Sequence, residues 1–146
     1  VVEDIISLNK YDILLIDTGA GLNEFVKEFL SISDNIIALT TTDPSALTDV
    51  YSLMKMLSLE KKKLMLCFNH TKNYKIGETI ANSLVNLARK NRLKEEFMVE
   101  YIGNVSTSAN ISTTGRLRKL FTNEFIQDDS TKQLQVIIDY LLKNIH

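Results

Sequence analysis

Tyr11-Asp12-Ile13-Leu14-Leu15-Ile16-Asp17-Thr18-Gly19-Ala20-Gly21 is the stretch from which the fold class is read. Ile13 to Ile16 are four apolar residues without alternation, the pattern of a strand buried on both faces of a parallel sheet. Asp17 stands at the carboxyl end of that run, where open α/β sheets bind their ligands. A carboxylate there suits the hydrated Mg²⁺ of a nucleotide, because Mg²⁺ keeps several waters and takes one or two carboxylates. Gly19 and Gly21 let the backbone approach a phosphate or swing when one is lost. A helix-capping Asp followed by a glycine turn has the same residues, and the stretch alone leaves both readings open.

Working outward, Val2, Ile5 and Ile6 have the spacing of the last turns of an amphipathic helix ending near Asn9-Lys10. The chain opens on Val1 and reads as one entered in mid-fold. After the glycines, Leu22, Phe25, Val26, Phe29 and Leu30 mark a helix face, and Ile36 to Leu39 a second buried strand. Asp43 and Pro44 are placed as cap and first residue of a helix with Leu47, Val50, Tyr51, Met54 and Leu57 inside. Asp49 lies toward its exposed side, and Lys61-Lys62-Lys63 is a solvated basic turn. Leu64 to Phe68 is a third strand ending in Asn69, whose amide suits either a base edge or a loop cap. A helix through Ile76, Ile80, Leu84, Leu87 and Ala88 ends at Asn91-Arg92, and Phe97 to Ile102 is a fourth strand.

Gly103-Asn104-Val105-Ser106 is expected to turn away from that strand, with loop or short helix over Thr107–Thr114. Arg116, Arg118 and Lys119 around Leu117 and Leu120 suit a short exposed helix, followed by a loop over Asn123–Asp129. Ser130-Thr131-Lys132-Gln133 fits a capping box, opening a helix with Leu134, Ile137, Ile138, Leu141, Leu142 and Ile145 on one face. That helix either covers the sheet or lies on a membrane surface; its polar face has few cations, which favours packing.

Composition bounds the rest. The 146 residues are 45% hydrophobic and 24% charged, enough for one ordinary core without an internal boundary. A net charge of −1 gives no electrostatic case for nucleic acid. Cys67 is the only cysteine, which excludes an internal disulfide and points to a reducing, cytoplasmic setting. His70 and His146 show no zinc spacing, and no apolar run is long enough for a membrane span.

Strand–helix alternation of this kind means a doubly wound α/β fold. Two blocks narrow it: Asp12-Ile13-Leu14-Leu15-Ile16-Asp17-Thr18-Gly19-Ala20-Gly21 and Thr40-Thr41-Thr42-Asp43-Pro44-Ser45-Ala46-Leu47-Thr48-Asp49-Val50-Tyr51. They resemble the switch II and T-T-x-[ED]-P-x-[AS]-x-x-D-x-Y segments of the MinD/ParA ATPases, most closely the FlhG/YlxH branch governing flagellar number and placement. Phe68-Asn69 and Tyr101-Ile102-Gly103-Asn104-Val105 fall where that family carries its adenine-side Asn and its G-x-[IV]-P segment. The resemblance covers nearly the whole chain and the latter half of a family member.

The resemblance implies a partial P-loop NTPase-like fold: a mostly parallel sheet with helices on both faces, lacking the phosphate-loop strand. Residues 1–146 would be the carboxyl-terminal half of one nucleotide-binding domain. ATP and Mg²⁺ are the implied cofactors, with a homodimer across the nucleotide and flagellar assembly or regulatory proteins as partners. The implied location is cytoplasmic or peripheral at the inner face of the membrane. Asp17 would support Mg²⁺ from its second shell, Gly21 would let switch II sense the γ-phosphate, and Asn69, Asn104 and Val105 would lie beside the adenine. Asp49 matches a position on the partner-facing surface.

Two departures stand out. None of Gly19, Gly21, Gly77, Gly103 and Gly115 precedes a lysine, so no Gly-Lys-[Ser/Thr] phosphate loop is present. Ser106 stands where the family's proline is expected. The catalytic lysine is therefore expected upstream of Val1, and a non-enzymatic interaction module with a degenerate nucleotide fold is the rival reading. In the family the phosphate-loop strand lies between the strands matching Asp12–Asp17 and Ile36–Thr41, so those two are not expected to pair.

Overall fold

The structure, a computed structural model, describes residues 2–59, 63–72, 74–91, 93 and 97–145. Val1, the first two lysines of the basic turn and Arg92 at the expected helix end lie outside the described residues. The chain packs as two units, one up to Ile32 and one from Ser33 onward.

In the first unit, α1 spans Val2–Ser7, and Asn9 takes a left-handed conformation (φ 46°) just beyond its end. α2 spans Glu24–Ile32, opened by the Asn23 Oδ1, which accepts the Val26 N–H at 3.0 Å. The strand expected over Asp12–Asp17 does not form: residues 11–20 carry no strand, and Ile13, Leu14 and Leu15 are exposed. An apolar run becomes a strand only beside a neighbour that takes its backbone N–H and C=O groups. None of the three strands described below pairs with it.

The second unit is built on those strands: β1 (Ile37–Thr40), β2 (Lys63–Thr71) and β3 (Met98–Ser106). They are ordered β1-β2-β3 and all parallel. The helices are α3 (Pro44–Leu57), α4 (Tyr74–Lys90), α5 (Ala109–Leu117), α6 (Phe121–Glu124) and α7 (Asp129–Asn144). The fold is α/β, a three-stranded parallel sheet flanked by helices, as a partial P-loop NTPase-like fold requires.

β2 is the central strand, and all of Leu64–Phe68 is buried. Alternate side chains serve opposite faces. Met65 and Cys67 join Ile102, Val105 and Ile137 of α7, with Leu134, Tyr140, Leu141 and Ile145 packed around them. The last helix therefore covers the sheet. On the other face Phe68 and Tyr101 close on Gly77 of α4, and α3 packs against β1 and α4.

β1 corrects the expectation of burial on both faces. Ala38 and Thr40 are buried, whereas Ile37 and Leu39 (65% exposed) sit on the Met65/Cys67 face. The reason is coverage: α7 lies over β3 at the far side of the sheet. Within the described sheet β1 is an edge, paired to β2 alone and not to residues 12–17.

Several local expectations also change. β2 continues past Asn69 to Thr71, and β3 continues through the segment Gly103–Ser106 that was expected to turn. Gly103 (φ 144°) makes this continuation feasible, since a Cβ there would lie 2.7 Å from the Ile137 Cγ1. α5 fills much of the region read as loop or short helix; it ends at Arg118 in the left-handed region (φ 52°), and α6 follows. Asp43 precedes α3 as expected, but its side chain accepts from the Thr41 Oγ1 at 2.9 Å and makes no cap bond. The cap of α7 is Asp128, not Ser130, with its carboxylate accepting the Ser130 N–H at 2.9 Å.

Candidate functional site at the carboxyl edge of the sheet

Three parallel strands put their carboxyl ends along one edge, and the register aligns Thr40, Phe68 and Asn104 in a row across it. Asn69 is the next residue on the central strand, so Asn69, Asn104 and Val105 are brought together there. Asn69 is half-buried, and its Oδ1 accepts the His70 N–H at 2.9 Å, which occupies one lone pair of the amide oxygen. His70 has φ 56°, and the ladder loses register between Phe68 and Thr71. The strand thus bulges at the residue that faces the edge.

Asn104 is buried and committed. Its Oδ1 accepts the Tyr101 hydroxyl at 2.7 Å, and its Nδ2 donates to the Thr71 Oγ1 at 2.7 Å. The Thr71 hydroxyl donates onward to the Val105 carbonyl at 3.4 Å. Burial pushes the Tyr101 phenol up to about 12, so it remains a donor through the neutral range. Val105 itself turns its side chain into the α7 core.

Beyond β3 the edge is finished by a polar knot. The Ser130 Oγ donates to the Ser106 carbonyl at 2.9 Å, and the Gln133 Oε1 accepts the Ser106 N–H at 2.7 Å. The pair read as a capping box is therefore spent across the structure on β3. Asp128 accepts from the Asn110 Nδ2 at 2.9 Å and the Ser108 Oγ at 2.8 Å, and these bonds hold its carboxyl below the usual range.

Asp49 lies on the exposed side of α3. Asp17 and Gly21 belong to the first unit, where both are exposed. The Gly19 N–H donates to the Asp17 Oδ1 at 3.4 Å, and Gly19 (φ 69°) and Gly21 (φ 93°) occupy the conformations that favour glycine. An exposed carboxylate followed by two such glycines fits an ion that keeps its own waters. Among the described residues, no three His, Cys, Asp or Glu side chains gather as a protein-built metal cage.

Sequence reasoning missed Thr71 and Tyr101. A Tyr–Asn pair three residues apart on a regular strand would point to opposite faces. Only the irregularity at Gly103 lets them bond, and the local spacing does not announce it.

No family model matches the chain. It is 30% identical over 138 residues to the Flagellum site-determining protein YlxH of Helicobacter pylori, an alignment covering 94% of this chain and 46% of that protein. It is 32% identical over 47 residues to the Antiactivator FleN of Pseudomonas aeruginosa, covering 32% of this chain and 17% of FleN. The chain thus spans about half the length of the first relative and less of the second. The fold defines a partial P-loop NTPase-like α/β protein. Within that class the chain is related to the FlhG/MinD-like family.

Proposed function

We propose that this chain is the carboxyl-terminal half of a FlhG/MinD-like ATPase domain, whose ATP-dependent dimer cycle regulates flagellar number or placement. The observation that carries the reading is the 30% identity along 94% of the chain to a protein named for determining the flagellum site. In this reading the carboxyl edge of the sheet takes ATP, with Asn69 toward the adenine and Asn104 and Val105 shaping the same side. Asp17 holds a water of the Mg²⁺ shell, and Gly21 allows the following backbone to move with the γ-phosphate. Mg²⁺, when bound, would supply charge neutralisation on the phosphates, and the phosphate-binding lysine would come from upstream of Val1. Asp49 faces a partner, a second copy or a flagellar regulatory protein. The setting is cytoplasmic or at the inner membrane face. Among the described residues, no helix is long and apolar enough to cross a membrane.

The test is the longer polypeptide. Joined to its upstream half, the chain is expected to bind and hydrolyse ATP and to dimerise with it; Asp17→Ala should lower hydrolysis and dimerisation while the fold survives. The 146 residues alone are expected to show no micromolar ATP affinity by calorimetry. Full activity in Asp17→Ala would reduce Asp17 to a turn residue.

A second reading is favoured by one observation, the lack of a Gly-Lys-[Ser/Thr] loop in the sequence. It makes the chain a non-enzymatic interaction module on a degenerate nucleotide fold. An upstream stop codon would favour it, and an upstream phosphate loop would decide for the ATPase.

A further inference from the structure

Asn69 is presented on an irregular piece of backbone. β2 leaves its register after Phe68 and rejoins β3 only where Thr71 pairs with Ser106. Between them His70 sits at φ 56°, a conformation that non-glycine residues hold only when the flanking structure enforces it. A bulge of this kind re-aims the side chain it carries.

What enforces the far flank is a relay of side chains. The Tyr101 hydroxyl donates to Asn104, Asn104 donates to Thr71, and Thr71 donates to the Val105 carbonyl. Asn104 and Thr71 are both buried, so removing one member leaves its neighbour's polar group short of a partner. The start of the relay is fixed from α4: a Cβ at Gly77 would lie 3.1 Å from the Tyr101 hydroxyl oxygen. The ring has little room to retreat on that side.

We propose that Tyr101, Asn104 and Thr71 form a clamp that sets where Asn69 is displayed. They are positioning residues for base selection and not base contacts themselves. This rests on the nucleotide-binding reading above and adds to it the element that governs selectivity.

The experiment uses the full-length polypeptide with Tyr101→Phe and Thr71→Val, which keep the ring and the side-chain volume, and Asn69→Ala as the direct-contact control. Amide hydrogen exchange is read at His70 and Thr71, with Leu66 as an internal reference, and ATP and GTP affinities are measured by calorimetry. Both clamp variants should speed exchange at His70 and Thr71 by about tenfold, the loss of roughly one buried hydrogen bond, while Leu66 is unchanged. Their ATP-to-GTP preference should fall toward that of Asn69→Ala. Unchanged exchange in both variants would overturn the clamp. Faster exchange with an intact base preference would overturn its role in selectivity. A wild-type protein that binds neither nucleotide would overturn the ATPase reading and the base role together, while exchange still reports separately on the clamp.

Discussion

Residues 13–16 and residues 64–68 are both uninterrupted apolar runs, and they end in opposite states. Leu64–Phe68 is the central strand, flanked by β1 and β3 and covered on both faces, with Phe68 at 0% exposure. Among the described residues Ile13–Ile16 has no ladder neighbour, and Leu15 is 82% exposed. The difference is one of partners. Hydrophobicity supplies the drive to leave water, but a strand is stable inside only when both rows of its backbone groups are paired.

The sharpest way to break this comparison is truncation at both runs. Phe68→Ala should cost about 3–5 kcal/mol in denaturant unfolding of the 146-residue chain, and Leu15→Ala less than about 0.5 kcal/mol. In the longer polypeptide the two costs should converge if the upstream half supplies the missing strand. A near-neutral Leu15→Ala there would leave residues 13–16 as surface.

Next in size is Gly103→Ala. Its φ of 144° and the approach of Ile137 to 2.7 Å from any added Cβ combine backbone strain with overpacking. About 2–4 kcal/mol should be lost, and the unfolding midpoint measures it. A neutral result would mean that α7 can slide from the sheet without cost, and the ordered region would be less fixed than β2 suggests.

A smaller effect is expected at Asp128, whose carboxyl is held low by Asn110, Ser108 and the Ser130 N–H. A depressed folded-state value means stability that is present above the ordinary carboxylate range and lost as pH falls through the lowered value. Asp128→Asn should therefore lower the neutral-to-alkaline plateau and flatten the acid limb, while stability at the acid end stays nearly unchanged. An unchanged acid limb would show that these bonds do not favour the charged form.

Asp43→Ala is the smallest. Its carboxylate makes no bond to the backbone of α3, so the change should stay within about 0.5 kcal/mol of wild type by thermal melting. A loss near that of a working cap, about 1 kcal/mol, would show that the bond forms in solution.

Much of the second unit was legible because its signals are local. Pro44 opens α3, the spacing of Ile76, Ile80 and Leu84 marks α4, and the run from Leu64 to Phe68 is long and uniformly apolar. Asn69 near the carboxyl end of the central strand was legible for the same reason, whereas Asn104 was expected in a turn and lies within β3. Ser130 and Gln133 were not legible, since a capping box and a brace on Ser106 use the same residues, and only the packing of α7 chooses between them.

By itself the sequence determined the α/β class, the positions of α3, α4 and α7 and of the central strand, and the resemblance to the family. These follow from periodicity, caps and residue identity, which act over a few neighbours. Tertiary structure alone decided that Ile13–Ile16 would form no strand, that β1 would keep an uncovered face, and that Tyr101, Asn104 and Thr71 would join. Each of those depends on what lies across from a residue, and ladder partners, covering helices and bulges are set by residues distant along the chain.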